Sequence, residues 1–199
     1  MKEETSSRHR GFLGGFSGGF AGRKSRVIWK QIHGIRSSLA LLIATALGAG
    51  LSPVAPGTMG TLMALPVAYF TRHLPWGYRL AFWGVLTGIG TWAAKVFDEL
   101  METNDNPCIV IDEVIGLGIT SWTAGDDFKT WIAAFILFRF FDILKPPPVR
   151  QVDLWSKSKS VGFASAWRAG FGVIADDMIA GLQGLGLIIL LQALKFLPA

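Results

Sequence analysis

From residue 37 to residue 71 the chain runs for 35 positions without a charged side chain, and the middle of that run is broken. A membrane-spanning helix takes about 20 consecutive apolar residues, so the run is more than one span and less than two. Its centre reads Gly50-Leu51-Ser52-Pro53-Val54-Ala55-Pro56-Gly57-Thr58-Met59-Gly60. Pro53 and Pro56 remove backbone donors and clash with a preceding turn, and the glycines weaken what remains. The expectation is two apolar half-segments, 39–49 and 61–70, around a loop that is not regular helix. Backbone of that kind survives at membrane depth only where it is buried in protein or lines a polar cavity. The plainer alternative is an ordinary turn between two short helices at the bilayer edge.

Other uncharged runs follow at 80–94, 114–125, 130–138 and 178–194. The last is the best candidate for a full span, with Lys195 placed to snorkel at its end. The run at 80–94, bracketed by Arg79 and Lys95, is short for one, and the two middle runs read as helices of a compact bundle. Most of the tryptophans fall near the ends of these runs, as an interfacial belt would place them. With 51% hydrophobic and only 17% charged residues, the chain is neither disordered nor an ordinary soluble domain, whose charged share is about 25%. The predicted fold is all-α: a compact polytopic membrane bundle with a proline- and glycine-broken loop free to take a re-entrant course. The single cysteine, Cys108, excludes an internal disulfide framework and multi-cysteine metal sites.

The formal charge of +5 is unevenly placed. Residues 1–38 hold eight Lys/Arg against Glu3 and Glu4, a net +6, and residues 39–199 hold eleven basic against twelve acidic residues, a net −1. A nucleic-acid-binding domain would spread its basic residues over a folded face, so no nucleic-acid partner is expected. The division is therefore a basic, glycine-rich flexible tail, 1–38, and a membrane-embedded domain, 39–199. The positive-inside bias puts the tail in the cytoplasm. A cleavable secretory signal is disfavoured, because the basic stretch is too long and the apolar run continues past Ala44-Thr45-Ala46.

Within this apolar body the acids stand out, because ionisable groups at membrane depth are costly and rarely lack a function. Asp112-Glu113 and Asp176-Asp177 are both embedded in apolar sequence, and no cation lies within one helical turn of either doublet. Arg139, Asp142 and Lys145 recur every three residues on one helix face, before Pro146-Pro147-Pro148 ends the helix. A surface ion pair is an equal alternative for that trio. Asp126-Asp127, after Gly125, reads as a helix N-cap.

Hard divalent cations such as Mg²⁺ take carboxylate oxygens together with substrate phosphate. Lys and Arg bind phosphate oxygens, and a broken loop offers backbone N–H groups. Together these point to metal-assisted phosphoryl chemistry on a lipid phosphate, with a metal-activated water as nucleophile. Other phosphatase chemistries are missing their residues. Cys108 has no Arg six positions on, His9, His33 and His73 lie in the tail or a peripheral loop, and no Asp-x-Asp-x-Thr occurs. Nor is there the Asp-Gly-x2-Ala-Arg pattern of phosphatidyl-alcohol transferases. A small helical transporter or channel subunit with intramembrane carboxylates is the competing class.

Four ordered blocks resemble the phosphatidylglycerophosphatase A family of Mg²⁺-dependent membrane phosphatases. They are Gly50-Leu51-Ser52-Pro53 through Gly60-Thr61; Asp105-x-Pro107-x-Ile109-Val110-Ile111-Asp112-Glu113; Phe138-Arg139-Phe140-Phe141-Asp142-Ile143-Leu144-Lys145-Pro146; and Gly170-x-Gly172-x3-Asp176-Asp177-x2-Ala180-Gly181. The resemblance implies hydrolysis of phosphatidylglycerophosphate to phosphatidylglycerol and phosphate at the bacterial cytoplasmic membrane, with the N-terminus and active site facing the cytoplasm. It implies Asp112, Glu113, Asp142, Asp176 and Asp177 as Mg²⁺ or water ligands. Arg139 and Lys145 become phosphate clamps, Ser52, Thr58 and the loop amides secondary contacts, and Asp105 a ligand or an N-cap. Where family members often carry His-Gly-Gly, this chain has Arg168-Ala169-Gly170. That departure makes Arg168 a candidate head-group contact, and an inactive lipid-binding homologue a third reading.

Overall fold

The computed structural model describes residues 29–103, 105–157 and 163–198, and side chains within 30–103, 105–155 and 170–198. Most of the expected tail lies outside the described residues. All the regular structure described is helical: α1 (Ile35–Ala44), α2 (Pro56–Thr71), α3 (Trp76–Met101), α4 (Ile111–Thr120), α5 (Phe128–Leu144), α6 (Val149–Lys157) and α7 (Phe163–Ala193), with short 3-10 turns at Trp29–Gln31 and Ala49–Leu51.

Two of these helices are long and apolar enough to cross a bilayer, Trp76–Met101 in α3 and Gly170–Ala193 in α7. Only 39% and 44% of their most apolar stretches are buried within the protein. Leu80, Phe82, Val85 and Ile89 of α3, and Leu182, Ile189 and Leu190 of α7, point outward. Outward faces this apolar suit lipid rather than water, so the fold is an all-α membrane bundle. α3 exceeds the expectation for 80–94. Arg79 and Lys95, which bracket that run, do not end the helix, because each is accommodated inside the bundle. Arg79 is buried, donates to the carbonyl of Trp122 at 2.8 Å and stacks over the Trp122 ring.

The break in the first apolar run falls earlier than expected. α1 ends at Ala44, Ala46 and Leu47 take positive φ, and α2 starts at Pro56, so Gly57 to Gly60 are helical. Proline at the first helical position forfeits only an N–H that has no intrahelical acceptor, so Pro56 begins a helix that it could not interrupt cheaply. At about 1.5 Å per residue α1 covers about 15 Å, half of a bilayer core. The loop feeds its polar groups back into protein: the Thr45 hydroxyl donates to Leu41, the Gly48 N–H donates to that hydroxyl, and the Val110 N–H donates to the Ala44 carbonyl at 2.8 Å.

α4 forms the centre, packed against α2, α3, α5 and α7. It runs close to α7 because glycines face each other there. A Cβ on Gly181 would sit 2.5 Å from the Gly116 carbonyl oxygen, and one on Gly116 would meet the Phe138 ring at 2.3 Å. Thr120 donates to the Gly181 carbonyl at 3.1 Å across this seam. Gly181 and Gly184 thus make a close helix contact inside one chain. The belt of tryptophans holds only in part. Trp76 and Trp155 are exposed, whereas Trp83 and Trp131 are core residues, the former stacked over Gly118 and the latter donating to the Gly125 carbonyl. The Trp83 ring is drawn inward because it fills the space Gly118 leaves on α4.

Candidate active site

The starts of α2, α4 and α6, the end of α5 and the middle of α7 converge at one end of the bundle. The approach to α4 is set by Asp98, buried near the end of α3. Its carboxylate accepts from the Thr103 hydroxyl and from the N–H groups of Asp105 and Asn106, at 2.8–3.0 Å. That anchor turns the chain through Asp105 (φ +63°) and delivers Ile109–Glu113 to the centre. Asp105 itself is exposed, and the residue capping α4 is Val110, so the N-cap alternative for Asp105 does not hold.

Asp112 and Glu113 occupy the first turn of α4, where the helix dipole favours negative charge. Asp177 comes from α7, held against α4 by the glycine seam. One carboxylate oxygen from each of Asp112, Glu113 and Asp177 lies within 4.8 Å of the others, a group able to hold a metal ion. Asp142 on α5 lies beside Asp177, and the Arg139 guanidinium lies 2.6 Å from Asp142 and 3.8 Å from Glu113. The sequence-predicted Arg139–Asp142 pair therefore forms, but inside the site rather than on a surface, with both side chains largely buried.

Lys145 does not share that helix face. It lies just past the end of α5 with φ +44°, because the following prolines stop the helix, and the turn swings its ammonium away. The ammonium donates to Asp153 and to Asp176, both at 2.6 Å. Burial alone would lower the Lys145 pKa, but the two carboxylates outweigh it and hold the ammonium well above its ordinary value. Asp176 and Asp177, adjacent in sequence, thus serve different neighbourhoods: one faces Lys145, the other the acidic triad.

The donor set fits a hard cation. Asp112 and Asp177 have no cationic partner among the described residues, and Glu113 Oε2 is buried without a hydrogen bond. Burial, followed by repulsion from Glu113, pushes the Asp112 carboxyl well above the usual carboxylate range. Burial pushes Glu113 up to about 8, with Asp177 and Asp142 adding to the rise and Asp112 and Arg139 opposing it. Carboxyls so placed stay protonated or take a cation, and oxygen-only ligation suits Mg²⁺ or Ca²⁺.

Two further residues belong to the site for reasons that only the packing shows. Asp153 was hidden because its importance depends on α6 folding back after the prolines. Gly57 reads in sequence as a helix breaker, but its Cα lies so close that a Cβ would stand 2.2 Å from Glu113 Oε1 and 3.2 Å from the Arg139 guanidinium. Ser52 makes a local turn, donating to the Val54 carbonyl at 2.8 Å, and Thr58 lies in the first turn of α2. The Arg168 side chain lies outside the described residues. Gly170, two residues on, packs where a Cβ would meet the Thr91 carbonyl at 2.8 Å. Asp127 caps α5 as expected, accepting from the Thr130 N–H at 2.7 Å, while Asp126 pairs with Arg72 across the opposite end.

Known proteins align with this arrangement. The chain is 36% identical to "Phosphatidylglycerophosphatase A" of Escherichia coli K12 over 151 residues, 74% of this chain and 80% of that protein. It is 32% identical to "Putative phosphatidylinositol-3-phosphatase" of Bacteroides thetaiotaomicron, over 76% of this chain and 92% of the relative. "Phosphatidylglycerophosphatase A" of Haemophilus influenzae is also 32% identical, over 76% and 87% respectively. No solved structure matches the chain significantly. The family model described as phosphatidylglycerophosphatase A matches residues 42–192, which take in every helix that contributes to the acidic cluster, and the chain belongs to that family.

Proposed function

We propose that this protein hydrolyses phosphatidylglycerophosphate to phosphatidylglycerol and inorganic phosphate. The observation that carries the reading is the buried triad Asp112, Glu113 and Asp177, set beside the Arg139 guanidinium in a chain of this family. We assign Mg²⁺ as the ion and the triad as its holders, with Asp142 and Asp176 bordering it. When bound, such an ion supplies positive charge toward a phosphoryl oxygen and acidifies water.

The chain's own residues provide the remainder. Arg139 and Lys145 attract the phosphomonoester and offset the charge that builds on its oxygens as the P–O bond breaks. Thr58 and the first-turn amides of α2 add donors that no intrahelical acceptor uses. A carboxylate of the cluster, which we assign to Asp142 at the border of the triad, orients the attacking water and takes its proton, which passes to the departing glycerol oxygen. Ser52, Asp105 and Arg168 are assigned to contacts further out along the head group. The acidic end of the bundle faces the cytoplasm of a bacterial inner membrane in this reading, reached by a phospholipid substrate through the bilayer.

Purified protein in detergent micelles with phosphatidylglycerophosphate tests this directly. Phosphate release that stops with a chelator and returns with Mg²⁺ is the expected result. Ion flux in liposomes without hydrolysis would replace the reading with a transporter. Faster turnover of phosphatidylinositol 3-phosphate would move the substrate assignment towards that of the Bacteroides relative.

A further inference from the structure

The helix α6 has nine residues and one inward face, on which Val149 is fully buried and Val152 and Asp153 are half-buried. These positions follow the i, i+3, i+4 spacing of a single helical stripe. Arg150, Gln151, Leu154 and Trp155 lie on the outward side. Among the described side chains of the inward face, Asp153 is the charged group, and it meets Lys145 at 2.6 Å. Gln183 of α7 ties the turn before α6 in place by donating to the Pro147 carbonyl at 2.9 Å.

An ammonium has three donors and can rotate them freely. Two of the Lys145 donors are taken, by Asp176 from α7 and by Asp153 from α6. Acceptors on two separate helices confine a side chain that otherwise has four rotatable bonds. The Lys145 side chain keeps 29% of its surface exposed, so the third donor remains open to a ligand. With Asp176 alone the ammonium could swing about one contact; the second carboxylate removes that freedom.

We propose that Asp153 is a positioning residue for the phosphatase reaction: it holds the Lys145 ammonium against Asp176 so that its remaining donor points to the substrate phosphate. In this role Asp153 acts through Lys145 and not by touching substrate itself. The inference rests on the phosphatase reading above, and wild-type turnover separates the two. If wild-type protein releases no phosphate, that reading fails; if it does and the Asp153 variants behave otherwise than stated, this inference fails.

The experiment is a double-variant cycle in the full-length detergent-purified protein, with kcat and KM measured on phosphatidylglycerophosphate. Asp153→Asn is expected to lower kcat/KM by about ten- to a hundredfold, the scale of losing a hydrogen bond to a charged group. Asp153→Glu, which restores the charge, is expected to recover most of that loss. In a Lys145→Met background, Asp153→Asn should cost less than about twofold more, because the group it positions is gone. A helix-packing role would give the full loss again in that background, and so would overturn the proposal. Folded Asp153→Asn protein with wild-type kcat/KM would also overturn it. Should Asp153→Asn fail to purify as a folded protein, Asp153→Glu with and without Lys145→Met carries the same cycle, and equal losses in the two backgrounds refute the idea.

Discussion

Replacing Gly57 by alanine should separate activity from stability. The new Cβ would lie 2.2 Å from Glu113 Oε1, where ordinary van der Waals contact begins at about 3.4 Å. Relief requires the carboxylate to retreat by about 1 Å, and the Arg139 guanidinium, 3.2 Å from the Cβ, blocks one direction of retreat. The obstacle is the end of a flexible side chain rather than backbone, so the helix itself is not forced apart. Gly57 lies in α2 without positive φ, and alanine there favours the helix by up to about 1 kcal/mol. A 1 Å displacement of a reacting group costs about a hundredfold in rate. The expected outcome is an unchanged or slightly higher Tm in detergent and about a hundredfold lower kcat/KM. Gly84→Ala is the control, since its Cβ meets nothing within 4 Å and it lies far from the acids on the outer side of α3. Wild-type kcat/KM in Gly57→Ala would refute the assignment of Glu113 to the site, and so would a loss of the same size in Gly84→Ala.

Asp112→Asn, Asp142→Asn and Asp177→Asn should each abolish phosphate release while the protein still inserts and folds, and near-normal turnover in all three would sink the acidic cluster as the catalytic site. Gly181→Ala drives a Cβ to 2.5 Å from the Gly116 carbonyl, a backbone clash at the α4–α7 seam, and should destabilise by about 1–3 kcal/mol as a lowered Tm. In metal-free protein Glu113 titrates at about 8 against an ordinary 4.5, so the folded form binds more protons than the unfolded form between those values. Stability should therefore fall as pH rises from about 4.5 to about 8, and added Mg²⁺ should raise Tm more at pH 8 than at pH 5; a flat or inverse difference would argue against the cation site.

Particular residues show how much was legible beforehand. Asp127 could be read as an N-cap, and Pro146 as a helix stop, because both act through neighbours a few residues away. The acids of the site were also legible, since a carboxylate inside apolar sequence is conspicuous wherever it lies. Their partners were not. Lys145 has helical spacing with Asp142, yet one residue of positive φ sends it to Asp153 and Asp176, eight and thirty-one positions away. In sequence Pro56 reads as a breaker, whereas at the first helical position it opens α2. Arg79 and Lys95 read in sequence as limits of a helix, whereas the bundle shelters them within α3.

The amino-acid sequence by itself determined the class of the molecule: an apolar helical body, a separate basic segment and a small set of costly acids that bound the chemistry. Those properties follow from composition and short-range pattern, which hydration and backbone geometry read locally. Only the tertiary structure decided which acids meet as a triad, which are paired with cations, and why Gly57 and Asp153 matter. Each of those outcomes depends on distances of 2 to 5 Å between helices far apart in sequence, and such distances are set by packing across the α4–α7 seam and the turn after α5.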